Sequence, residues 1–246
     1  MKKLIKILSI TIIIISALFF AYFLPYSKAD NLPVIPSEVE VSQNPKGLFY
    51  DGPGVDNLLI FYPGAKVDTK AYEPIVSKLA KDGIDCFVVD MPFHFAIFNA
   101  NGAEAVLEKY KYKNYYIAGH SLGGAMAASY LSKNDNWKKF KGIIFLASYS
   151  TSDFTDTDIK ALSLYGSNDG VLNISKVKSG RKYFKKENYT EKVIQGGNHA
   201  QFGSYGNQSG DNDASISAEN QWNETVEAIE SFIIWYNRIT GKSFEA

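Results

Sequence analysis

Short apolar runs alternate with amphipathic stretches along most of this chain. Leu58-Leu59-Ile60-Phe61-Tyr62 is apolar throughout and ends at Pro63-Gly64, as expected of a strand buried on both faces. Over residues 69–81, Tyr72, Ile75, Val76 and Leu79 recur at three- and four-residue spacing and predict a helix with one apolar side. Asp85-Cys86-Phe87-Val88-Val89 predicts a second strand, and residues 103–109 a short helix. A third strand, Tyr115-Tyr116-Ile117-Ala118-Gly119, runs into a helix that opens on small residues, Ala125-Met126-Ala127-Ala128. Further strands are predicted at 141–147, 161–166 and 192–195. The last helix, about 218–238, carries Trp222, Val226, Ile229, Ile233 and Tyr236 on one face. This alternation predicts an α/β fold, a mostly parallel sheet with helices on both faces. The connections are too short to hold a large cap domain, and a ligand in such a sheet sits at the carboxyl ends of the strands.

The start of the chain follows a different pattern. Lys2, Lys3 and Lys6 precede an uncharged apolar run from Ile7 to Leu24, long for a signal-peptide core and close to a bilayer span. Residues 1–29 are therefore expected to be a signal anchor with its basic end in the cytoplasm and the rest of the chain outside. Ser27-Lys28-Ala29 also suits signal-peptidase cleavage after Ala29, which would release a secreted form. Residues 30–45 read as a Pro-containing tether, and 46–246 as one catalytic domain of a size that buries a substantial core.

Composition narrows the partners. Lys and Arg number 26, as do Asp and Glu, and no basic aromatic patch is present, so nucleic acid is not an expected partner. The single cysteine, Cys86, cannot close an intramolecular disulfide. No metal-ligand spacing stands out. Asp211 and Asp213 lie in a Gly/Asn/Ser/Asp-rich segment over 204–217, which reads as a solvated loop without the other ligands of a calcium site. The oligomeric state is not legible.

The chemistry concentrates at Gly119-His120-Ser121-Leu122-Gly123. A G-x-S-x-G turn between a strand and a helix holds its serine at a strained tip, above the sheet edge and next to the free N–H groups of the helix start. A serine hydroxyl needs a base. Of the three histidines, His120 adjoins the nucleophile at a tight turn and points elsewhere, and His94 lies in an apolar loop. His199, in the Gly196-Gly197-Asn198-His199 loop after a strand, is the expected base. Asp169, in the Ser167-Asn168-Asp169-Gly170 turn, is the expected orienting acid, ahead of Asp153, Asp156 and Asp158 in a polar surface stretch. The oxyanion donors are expected to be the backbone N–H of Leu122 and that of Ala65 or Lys66, after the first core strand. Phe93, His94 and Phe95 are candidates for an apolar substrate-binding wall, or else for packing under the elbow helix.

The elbow, the Gly-Ser-Asn-Asp-Gly turn and the Gly-Gly-Asn-His segment together resemble the α/β-hydrolase family, over about residues 58–236. The likeness is to small, lidless members of the dienelactone-hydrolase type. Residues 197–206 are similar to a stretch in a bacterial subgroup of membrane-anchored hydrolases. The resemblance implies a serine hydrolase with no metal or organic cofactor. Dienelactone hydrolases use a cysteine nucleophile, so Ser121 departs from that pattern. The expected activity is cleavage of carboxylic esters with small or medium acyl groups through an acyl-enzyme. An acyltransferase on the same triad and a non-catalytic binding protein are the alternatives.

Overall fold

The computed structural model describes residues 2–241, with side chains from 7 to 233. Its centre is an eight-stranded sheet in the order β1-β2-β4-β3-β5-β6-β7-β8. The strands are β1 (Glu40–Asn44), β2 (Gly47–Asp51), β3 (Asn57–Tyr62), β4 (Ile84–Val89), β5 (Asn114–His120), β6 (Gly142–Leu146), β7 (Lys160–Gly166) and β8 (Tyr189–Ile194). β1 and β2 pair antiparallel, as do β2 and β4, and every pairing from β4 through β8 is parallel.

Alternation along each central strand feeds two cores. Leu59 and Phe61 of β3 face one side, under α2 (Glu73–Lys81) and α6 (Ala218–Gly241), while the short α5 (Ile174–Gly180) joins β7 to β8. Leu58, Ile60 and Tyr62 face the other, under α3 (Ala103–Lys109) and α4 (Leu122–Leu131). Both sides are apolar because both are covered, which is why these strands read as continuous apolar runs. Trp222, Val226, Ile229 and Ile233 dock α6 on the sheet as its spacing predicts, and Tyr236 lies outside the described side chains. Among the described residues no cap domain is inserted between the strands.

The N-terminal part differs from expectation. The segment read as a tether carries β1 and lays Ile35, Val39 and Val41 against the core. Val34 and Ile35 lie between two prolines, and Val39 and Val41 alternate over only three residues, too short a run to mark a strand. Further upstream, the Ser27 N–H donates to the Lys66 carbonyl at 2.7 Å and the Asp68 N–H to the Ser27 carbonyl at 2.9 Å. The folded unit therefore begins before Asp30. α1 (Lys2–Phe23) precedes it, with Ile7 to Tyr22 exposed. Among the described residues no helix is long and apolar enough to cross a membrane.

Candidate active site

Ser121 sits between β5 and α4 with φ 51° and ψ −121°, a conformation L-residues avoid. Close packing enforces it. A Cβ on Gly119 would lie 2.4 Å from the Gly123 carbonyl carbon, and one on Gly123 only 2.1 Å from the Tyr62 carbonyl oxygen. No side chain fits at either position, so strand and helix approach closely enough to bend the chain sharply at Ser121. The elbow is then pinned by the Ser121 N–H donating to the Leu146 carbonyl at 2.9 Å and by the Ser148 hydroxyl donating to the Ser121 carbonyl at 2.6 Å.

Asp169 follows β7 and His199 follows β8, so with Ser121 after β5 all three candidates gather at the carboxyl ends of parallel strands, β6 lying between β5 and β7. His199 Nδ1 and Asp169 Oδ2 are 2.9 Å apart, with both side chains essentially inaccessible to solvent. The second carboxylate oxygen accepts the N–H groups of Val171 at 2.9 Å and Leu172 at 2.7 Å. A carboxylate so held accepts Nδ1–H and leaves the lone pair on Nε2. That Nε2 is buried with no hydrogen-bond partner. Ser121 and His199 line one cavity of about 260 Å³.

The other candidates separate cleanly. His120 Nδ1 lies 3.0 Å from the Tyr72 hydroxyl, which itself accepts the Gly64 N–H at 2.8 Å. Tyr72 thus donates to His120, whose ring braces the loop after β3. Burial, and then the neighbouring His199, hold the His120 pKa well below its ordinary value. Asp158 pairs with Lys185 at 2.8 Å, and Asp153 caps the Thr155 N–H, so neither serves a histidine.

On the oxyanion side, the Lys66 N–H donates to the His94 carbonyl at 2.8 Å and is not free for a substrate. Ala65, half-buried beside it, has no such bond and is the better of the two positions. Leu122 is the first residue of α4, where a helix has no internal acceptor for its N–H.

Two further stretches singled out in the sequence take definite places. Phe93, His94 and Phe95 do not line the Ser121 cavity; its apolar wall comes from Ala125, Ala147, Tyr149, Val171 and Leu172. His94 stacks on Tyr26, ring centroids 3.8 Å apart. The 204–217 loop is not merely solvated. Asp211 Oδ1 accepts the Gly170 N–H at 2.9 Å, and its Oδ2 accepts the Ala200 N–H at 2.8 Å. One carboxylate ties the residue after Asp169 to the residue after His199. Nothing in the local sequence separates this aspartate from Asp213, because its partners lie 41 and 11 residues away. Among the described residues no group of three or more His, Cys, Asp or Glu is arranged to hold a metal ion.

Residues 58–223 match the alpha/beta hydrolase family. The chain belongs to that family. No curated protein matches its sequence. Among solved structures it is similar to Est1E from Butyrivibrio proteoclasticus, at 15% identity and a TM-score of 0.59, covering 81% of this chain and 99% of that one. It is also similar to naproxen esterase from Bacillus subtilis, at 12% identity and a TM-score of 0.58, covering 81% and 92%. A predicted CIB-like hydrolase from Thermoplasma acidophilum has 14% identity and a TM-score of 0.57, covering 78% and 96%. At such identities the likeness is one of fold.

Proposed function

We propose that this alpha/beta hydrolase is a serine esterase that cleaves carboxylic esters of small or medium acyl groups through an acyl-enzyme. The observation that carries the reading is the unpartnered Nε2 of His199, on a ring fixed by Asp169 and lining the cavity of Ser121. His199 Nε2 takes the Ser121 hydroxyl proton as Oγ bonds to the ester carbonyl carbon. The carbonyl electron pair moves to oxygen, where the N–H groups of Leu122 and Ala65 receive it. Collapse of that adduct breaks the bond to the leaving alkoxide, which takes the proton from His199. Water then repeats the sequence on the acyl-enzyme. Asp169 keeps Nδ1 protonated and offsets the imidazolium charge that forms at each step. The small apolar cavity and the esterase fold neighbours both favour an ester of modest size.

The membrane anchor belongs to this proposal. Lys2, Lys3 and Lys6 before the uncharged run from Ile7 to Leu24 favour a membrane protein with its catalytic domain outside the cytoplasm. The Ser27 bonds to the loop after β3 favour retention of the segment over cleavage after Ala29. The mechanism is tested by rapid mixing with a p-nitrophenyl ester. Wild type should release a burst of nitrophenol stoichiometric with enzyme, and Ser121→Ala none. An equal burst from Ser121→Ala would refute the assignment.

A further inference from the structure

Among the described residues beyond 45, the exposed large apolar side chains are Val55, Phe93, Ile97, Phe98 and Val171. Phe93, Ile97 and Phe98 share the loop after β4, and each is at least 40% exposed. Phe93 and His94 both have positive φ, 54° and 58°. Two such non-glycine residues cost about 1–3 kcal/mol each. That strain accompanies a phenylalanine turned away from the core rather than into it.

The loop meets the end of α1. Phe19 lies against Phe93 with ring centroids 5.5 Å apart, and Phe23 against Phe95 at 5.1 Å and Phe98 at 5.5 Å. The Lys66 ammonium sits 4.0 Å over the Tyr22 ring, while the Lys66 N–H holds the His94 carbonyl. Ser27 closes the unit through its bonds to Lys66 and Asp68. The last turns of α1, the aromatic loop and the loop beside the oxyanion position therefore form one connected surface.

We propose that this aromatic face sits in the interfacial layer of a lipid bilayer and brings the Ser121 cavity to esters carried at the membrane surface. The inference rests on the anchored reading above. Where an apolar helix leaves a bilayer, tyrosines and other aromatics gather at headgroup level, and Tyr22 and Tyr26 mark that level here. Residues 19 to 23, the last turn of α1, cover only about 6 Å along the helix axis at ~1.5 Å per residue. Whatever packs on Phe19 and Phe23 is held at that depth. The exposed faces of Phe93, Ile97 and Phe98 continue the apolar surface of α1, and a patch of this kind on an otherwise polar domain marks an interaction site. A lipid surface fits it because the helix it extends is the membrane-directed element of the chain.

The test uses the full chain in vesicles of phosphatidylethanolamine and phosphatidylglycerol. Cys86, the only cysteine, is buried, so Ile97→Cys supplies one accessible thiol for an NBD label. Glu187→Cys, before β8 at the opposite ends of the strands from Ser121, is the control. The label at 97 should shift to the blue and lose intensity when lipids bearing a nitroxide near the headgroup are included, while the label at 187 should do neither. A label at 97 that behaves like the one at 187, in protein that floats with the vesicles, overturns the proposal and leaves the anchor intact. A blue shift without nitroxide quenching assigns the face to a protein contact and overturns it as well. Protein that does not float overturns the anchor itself and this inference with it. Ile97→Ser combined with Phe98→Ser should lower turnover of a vesicle-borne ester and spare that of a soluble short one.

Discussion

Asp211→Ala removes no atom from the proposed triad, yet it should slow the reaction. The carboxylate accepts N–H groups at 2.9 and 2.8 Å from the residues that follow Asp169 and His199. Hydrogen bonds to a charged group contribute about 1.5–3 kcal/mol each. Asp211 is half-buried, so water recovers part of that, and a total near the low end, about 2–3 kcal/mol of stability, is expected. For a domain of this size that corresponds to roughly 4–12 °C in Tm. If half of the lost free energy appears as misplacement of His199 in the transition state, kcat falls about tenfold. KM for a short ester should change little, because the residue touches no part of the cavity wall. Asp211→Asn retains one acceptor but turns its NH2 toward the other N–H, so its activity and Tm should fall between the two. The assay is kcat and KM on a short p-nitrophenyl ester, well below the Tm of every variant, with thermal melts alongside. A kcat for Asp211→Ala within twofold of wild type would show that the brace plays no part in placing His199.

Three further substitutions test neighbouring links. Asp169→Asn presents an N–H to Nδ1 and favours the wrong tautomer, so kcat should drop by roughly 10³–10⁴ with the fold retained; a loss under tenfold would deny Asp169 its role. Tyr72→Phe strips the Gly64 N–H of its acceptor and His120 of its donor inside the protein, which should cost about 1–3 kcal/mol in a denaturant melt; an unchanged midpoint would mean that the loop after β3 is held by other contacts. Burial, reinforced by Asp82, raises the Glu230 pKa to about 7. The folded state thus prefers its neutral form, and the stability this carries is complete below the unfolded pKa and lost as pH rises through 7. Glu230→Gln should melt like wild type at pH 4 and higher than wild type at pH 8, by less than ~1 kcal/mol because the group is partly exposed; a lower melt at pH 8 would reverse the sign of that interaction.

Strands β3 to β7 were legible because each is buried on two sides, while β8, a half-exposed edge strand, showed only its end. Residues 58–62 and 86–89 carry no polar break that would disguise them. β1 was not, since Glu40-Val41-Ser42-Gln43-Asn44 is an edge strand with a mostly polar surface and only Val41 reaches the core; β2 buries Leu48, Phe49 and Tyr50 but offers an apolar run of only three residues. At the site, Ser121 could be read from a strand, a tight turn and a helix that are contiguous in sequence. Asp169 and His199 could be read from chain order and from the turns that end their strands. The choice between Ala65 and Lys66 could not, because it depends on a carbonyl at His94. Asp211 stayed hidden for the same reason: its two acceptor bonds cross between loops. Phe93, His94 and Phe95 were recognised as apolar and near the site, but their direction is set by positive φ values and by contact with α1, which hydrophobicity does not encode.

The most direct measurement is labelling of the full chain with a fluorophosphonate, followed by mass mapping of the modified peptide. Stoichiometric modification at Ser121, abolished in Ser121→Ala and slowed by several orders of magnitude in His199→Ala, is the expected result. Modification of another serine, or undiminished labelling of a folded His199→Ala, would contradict the assignment of an activated nucleophile at this elbow.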